Sequence, residues 1–365
     1  MRYLYYIGSN IKIYFMNEQF YLPILKGKKG EYDALNKLTS SIKKSIIPLI
    51  EIPAISWDFV KGAPSNSLEK QVTSAIKSIE KSWEKDLPIL IDTFYLEDDY
   101  NQHDTTLGFI VNKLKTDGYS PIPVFGPYST TKIIEQNKDN IKFCIRVTID
   151  ELEQFNLNEE IERIIKTLDT DKSKVILLLD LGYIDEKQHS LAKRKSLDLY
   201  AEVNNIEEFQ ELYFSATSFP INLSSCKTNS VTEIGRIEIE IHKAFNNSKE
   251  KLSRIPKFSD YCTSNPETDE IDPRFMTVSA SIRYTNNNKW YIFKGGSIKK
   301  YSSDQFYTLS KDVIDSPIYS GEKFSWGDKQ IFDKSKRISG PGNPTIWRQI
   351  SVNHHITLMV DLLSS

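Results

Sequence analysis

Tyr21-Leu-Pro-Ile-Leu-Lys26 and Ile46-Ile-Pro-Leu-Ile-Glu51 are two apolar runs of strand length, each closed by a charged residue. Outward from them the same form recurs as Pro88-Ile-Leu-Ile-Asp92, Pro121-Ile-Pro-Val-Phe125, Phe143-Cys-Ile-Arg146, Val175-Ile-Leu-Leu-Leu-Asp180, Leu212-Tyr-Phe-Ser215 and Lys257-Phe-Ser-Asp260. The runs are continuous rather than alternating, which suits strands buried on both faces, as in a parallel sheet. Most spacers read as helix: 31–43, 67–83, 105–114, 130–136, 159–168, 185–209 with a break at Asn204-Asn205, and 236–245. Eight β-then-α units predict a closed (β/α)8, TIM-barrel-like α/β fold over residues 21–263. Residues 1–20 read as an N-terminal extension, with Met16 as an alternative start.

Past residue 264 the texture changes. Ser279–Thr285 and Trp290–Phe293, joined by Asn286-Asn-Asn-Lys289, read as a β-hairpin. A helix near 303–313, a Gly/Pro/Ser loop at 335–343 and a last helix from Pro344 complete a small α+β appendage over 264–365. Tyr261, Tyr284, Trp290, Trp326 and Trp347 concentrate in this late part, where packing of the appendage core is the expected role.

Composition removes several classes of function. The net charge is −2, which offers no global attraction to nucleic acid or anionic membrane. No run approaches the roughly 18 apolar residues of a membrane helix, and the N-terminus lacks a small-residue cleavage site. Cys144, Cys226 and Cys262 form no CxxC pair, which points to a reducing, cytoplasmic setting.

In a (β/α)8 barrel the residue just past each strand points into the ligand site. The strand ends here supply Glu51, Asp92, Asp180 and Asp260 as candidate catalytic carboxylates, with Lys26 and Arg146 as candidate anion ligands. Ser218, Arg236 and Tyr261, also at element ends, extend the ligand-binding set. Carboxylates and cations at one mouth suit a divalent cation, a phosphorylated ligand or acid–base work. The alternative is an internal ion-pair network, since buried charges need partners in either case. Lys26-Gly-Lys-Lys-Gly-Glu31 adds ammonium groups, mobile backbone and a helix start, a combination that suits phosphate without being a P-loop. Arg236 and Glu238, two apart on an expected helix, should not pair. Adjacent His354 and His355 should not share a metal, and one of them should be a buried hydrogen-bonding residue.

The opening Tyr21–Leu35 with Ile47-Pro-Leu-Ile-Glu51-Ile-Pro53 resembles the beta protein family of bacteria and phages. Thr217-Ser-Phe-Pro220, Phe258-Ser-Asp-Tyr261, Ser281-Ile-Arg-Tyr284 and Trp347–His355 resemble its later motifs, in the same order. The resemblance implies an anti-phage role and brings no catalytic assignment. The expectation is a barrel that binds a phosphorylated small molecule or nucleotide at its mouth, with cleavage of that ligand as an open option. The rival is a non-catalytic interaction subunit that recognises a phage protein or docks a partner effector.

Overall fold

The computed structural model describes residues 19–96, 100–267 and 278–364; the expected extension falls, up to residue 18, outside the described residues. β1 (Tyr21–Leu25) and β2 (Leu49–Glu51) open the barrel. β3 (Trp57–Asp58) and β4 (Ala63–Pro64) form an antiparallel hairpin in the loop after β2. β5 (Pro88–Asp92), β6 (Ser120–Phe125), β7 (Phe143–Thr148), β8 (Val175–Tyr183) and β9 (Glu211–Thr217) continue the barrel. β10 (Ser230–Gly235) stands outside it, and β11 (Lys257–Asp260) closes it against β1. The eight barrel strands are parallel and follow one another in chain order around the ring, as the runs predict.

The crossovers are α1 (Lys29–Asn36), α2 (Ser40–Ser45), α3 (Leu68–Ser82), α4 (Thr106–Thr116), α5 (Thr131–Glu135), α6 (Leu157–Thr167), α7 (His189–Glu202) and α8 (Ile237–Asn247). α3 shows why they form: Ser67 caps it by accepting from Lys70 N, and Val72, Ala75, Ile76 and Ile79 bury one stripe at helical spacing. The helix expected over 31–43 is two helices, because the Thr39 hydroxyl caps a new start by accepting from Ile42 N.

Alternation along each strand sorts the side chains. Leu22, Ile24, Leu49, Leu90, Ile122, Val124, Cys144, Ile176, Leu178 and Tyr213 fill the barrel interior. Leu25, Ile50, Ile91, Ile145, Leu179, Phe214 and Phe258 face the helices. Two residues beyond the interior set on their own strands come Lys26, Glu51, Asp92, Arg146 and Asp180.

β12 (Ser279–Asn286) and β13 (Lys289–Ser297) are the expected hairpin. β10, a strand with no counterpart in the sequence reading, pairs antiparallel with β13 and makes this sheet three-stranded. α9 (Ile298–Tyr301), α10 (Gln305–Ile314), α11 (Trp326–Ser335) and α12 (Pro344–Ser364) complete the appendage; α11 had no counterpart in the sequence reading. Trp347 and Ile350 of α12 pack in the appendage core with Ala280, Ile282 and Phe306. Further along the same helix Val352, Ile356, Met359 and Val360 join the core outside the barrel. α12 is thus buried on several sides, which explains an apolar surface with no single stripe.

Candidate functional site

The C-terminal mouth of the barrel is built around Arg146. Its Nη1 donates to Glu51 Oε1 at 2.8 Å and Asp92 Oδ2 at 2.7 Å. Nε and Nη2 both donate to Asp180 Oδ2, at 3.0 and 2.6 Å, and Nη2 also reaches Tyr261 Oη at 2.7 Å. All five guanidinium N–H groups therefore have acceptors. The remaining carboxylate oxygens are also engaged: Asp92 Oδ1 accepts from Phe94 N and Asp180 Oδ1 from Gly182 N, while Glu51 Oε2 pairs with Lys26 Nζ. Lys26 donates further to Pro266 O at 2.7 Å and Tyr95 Oη at 3.2 Å.

Three carboxylates face two cations, so one formal negative charge is left over. Burial pushes the Glu51 carboxyl up, but Arg146 and Lys26 outweigh this and hold it below the usual range. Burial dominates at Asp92 and, with Glu51 opposing Arg146, leaves its carboxyl raised. Glu151, buried on the turn after β7, is pushed by burial to about 7. Its Oε2 accepts from Thr148 N, and Arg146 and Asp180 both act on its charge. The mouth thus sets raised carboxyls beside an ionised one, the division that acid–base chemistry uses.

Above this floor stands an aromatic wall. Phe94 is 51% exposed, Tyr95 40% and Tyr128 39%. Phe94 meets Tyr95 edge-on with centroids 5.2 Å apart and lies 6.2 Å from Tyr128, which meets Phe155 edge-on. The loops after β5 and β6 carry this wall, and the hairpin after neighbouring β2 adds exposed Trp57 and Phe59.

Not every expected residue comes to the mouth. Lys26, Glu51, Asp92, Arg146, Asp180 and Tyr261 converge; Asp260, Arg236 and Ser218 do not. On β11 the outward Phe258 sets the parity, so Asp260 points to the helices and Tyr261 points inward. Asp260 Oδ1 accepts from Tyr21 Oη at 2.7 Å and Cys262 N at 3.0 Å, and Oδ2 contacts Arg236 Nη2 at 3.0 Å and His355 Nε2 at 2.8 Å. Arg236 does pair with Glu238, Nε to Oε1 at 2.8 Å. It precedes α8 in extended backbone, so the helical spacing rule does not govern it. Ser218 accepts from Ile237 N and donates to Gly235 O, which ties β9 to the start of α8.

Both histidines are buried. His354 bridges Asp328 and the Thr285 carbonyl. Burial lowers His355; facing a carboxylate, its Nε2 carries the proton while Nδ1 accepts from the Thr285 hydroxyl at 2.9 Å. Asp260, Cys262 and His355 have ligand atoms within 4.8 Å of one another. They do not fit a cation: the Arg236 guanidinium already occupies Asp260, and burial followed by Asp260 pushes the Cys262 thiol up. At the mouth, the position between the three carboxylates is filled by Arg146.

Residues 21–361 match the family described as Beta protein. The chain belongs to the Beta protein family. Protein beta of Enterobacteria phage P4 is 26% identical over 386 aligned residues, covering 96% of each chain. Triosephosphate isomerase of Bartonella henselae, 10% identical, superposes on 66% of this chain and 90% of its own with a TM-score of 0.32. The strand pairing alone establishes the barrel of this Beta protein family member. No helix among the described residues is long and apolar enough to cross a membrane.

Proposed function

We propose that the protein binds a small molecule carrying a planar ring, a nucleotide or related phosphorylated compound, at the C-terminal mouth of its barrel, and acts in conflict between phage and host. The observation behind this reading is the convergence of Lys26, Glu51, Asp92, Arg146, Asp180 and Tyr261 beneath the exposed wall of Phe94, Tyr95 and Tyr128. Aromatic faces left in water beside a ring of buried charge suit stacking of a base above hydrogen-bonding carboxylates. The phage setting draws on the P4 relative. If the ligand is also cleaved, Glu151 is the acid, and Glu51, held ionised, stabilises developing positive charge.

A second reading, a non-catalytic subunit that docks a protein, is favoured by the engagement of every Lys26 and Arg146 donor and by exposed Trp57, Phe59 and Val60 beside the mouth. A thermal-shift screen of nucleobases, nucleosides, nucleotides and sugar phosphates separates the two. A ligand that binds the folded state adds about 2.7 kcal/mol at a hundredfold excess over Kd. The expected result is a concentration-dependent rise in Tm that disappears in Asp92→Asn. No shift with any compound supports the docking reading.

A further inference from the structure

Lys26 and Arg146 have no donor left for an anion, yet cations without a carboxylate partner among the described residues lie nearby, where the barrel meets the appendage. Lys28 is the residue before α1, Arg283 lies on β12 and Arg348 lies near the start of α12. A chain of contacts joins them. Lys28 N donates to Glu31 Oε2, Ser264 Oγ meets Glu31 Oε1 at 3.3 Å, and the adjacent Thr263 carbonyl accepts from Arg283 Nη1 at 2.8 Å. A methyl group on Gly30 would come 2.6 Å from Thr345 O and 3.1 Å from Arg348 Cβ, so the starts of α1 and α12 abut. Two helix N-termini thus turn their positive ends toward one place. The hydroxyl of Thr263, whose carbonyl holds Arg283, is buried and has no hydrogen-bond partner among the described residues.

Glu31 is the acidic group in this set, and both its oxygens are engaged. Burial and then Arg348 lower Arg283 to about 10, and partial desolvation followed by Arg348 lowers Lys28. Arg348 thus opposes the charge on both Arg283 and Lys28, and Glu31 offsets this only in part.

We infer that this seam binds a phosphoryl group, held by Lys28, Arg283 and Arg348 at the joined starts of α1 and α12. Guanidinium forks match tetrahedral oxyanions, and a dianion relieves the repulsion among three cations. The inference rests on the mouth reading in one respect: Lys28 lies two residues beyond Lys26, so a ligand stacked at the wall would place its phosphoryl group here. It also replaces the expectation that Lys26 and Arg146 grip the anion.

Calorimetric titration of the full chain with inorganic phosphate, adenosine and adenosine monophosphate tests it. The expected result is one saturable phosphate site, weakened at least tenfold by Lys28→Gln and by Arg348→Gln, and unchanged by Asp92→Asn. Lys28 is exposed and Arg348 half-buried, so these variants avoid the buried network around Asp260. Phosphate binding that is absent, or equal in wild type and both variants, overturns the inference. Adenosine binding without any phosphate site leaves the mouth reading standing and this one refuted. A phosphate site at which the monophosphate binds no tighter than free phosphate upholds this inference and refutes the mouth reading.

Discussion

Two arginines, Arg146 partly buried and Arg236 fully buried, anchor two networks at the same end of the barrel. Arg146 gathers Glu51, Asp92 and Asp180 from three strands inside the mouth; Arg236 gathers Asp260 and Glu238 outside it. Neighbouring residues at the end of β11, Asp260 and Tyr261, belong to opposite networks because successive side chains of extended chain point to opposite faces. The surroundings differ more than the chemistry does. Arg236 is enclosed by α8, α12 and the turn between β12 and β13, with Met359 Sδ at 3.1 Å and Asn287 O at 3.2 Å. Arg146 lies under exposed aromatic side chains. Similar ion-pair chemistry therefore serves two ends. The outer network pins the appendage to the barrel through His355 and Thr285, and the inner one presents a polar floor to whatever enters the mouth.

The largest effect expected from this contrast is on stability. Asp260→Ala leaves Arg236 buried without its main counter-charge and should cost about 3–5 kcal/mol in urea unfolding. A loss below about 1 kcal/mol would remove the pinning role.

One carboxyl from each network, Asp260 and Glu151, should respond to pH with opposite sign. Asp260 is held at about 2; burial raises it, but His355 and Arg236 prevail, against an ordinary 3.8. Its stabilisation is present above its unfolded value and lost as pH falls through about 2. Glu151 is raised to about 7 from 4.5. Its contribution is full below the unfolded value and lost as pH rises toward 7, a span that corresponds to about 3 kcal/mol. Glu151→Gln should remove that part of the decline, so that the variant gains on wild type between pH 4.5 and pH 7. Glu238, also raised to about 7, acts in the same direction in both proteins and cancels in the comparison. Unchanged pH curves would place the Glu151 carboxyl outside the network.

The smallest effect belongs to Asp92. Burial and Glu51 oppose its charge, and the amide oxygen in Asp92→Asn can still accept from Arg146, so the substitution relieves the excess negative charge and should cost about 1 kcal/mol or less in stability. A loss as large as that of Asp260→Ala would make the two networks equally structural.

Much of this was legible in the chain. The eight runs gave strand positions because two-sided burial leaves a continuous apolar signature, as in Val175–Asp180. The inward charges were legible because each extends the alternation of a long run. Lys257-Phe-Ser-Asp260 is too short to announce its parity, although the aromatic Phe258 marks the outward face. β10 was missed because Ser230-Val-Thr-Glu-Ile-Gly235 is a polar edge strand with little to bury. The wall was overlooked although Phe94-Tyr95 stands two residues past Asp92, since exposed aromatics leave no periodic trace. Glu151, Arg283 and Arg348 carry no local signal; only the closed barrel and the returning helix bring them to their places.

The most direct test of the division between the networks is equilibrium binding of adenosine monophosphate to wild type, Asp92→Asn and Asp260→Asn, at a temperature where all three are folded. The inner network being the working one predicts at least tenfold weaker binding in Asp92→Asn and wild-type affinity in Asp260→Asn. Equal affinity in all three proteins, or loss confined to Asp260→Asn, would contradict it.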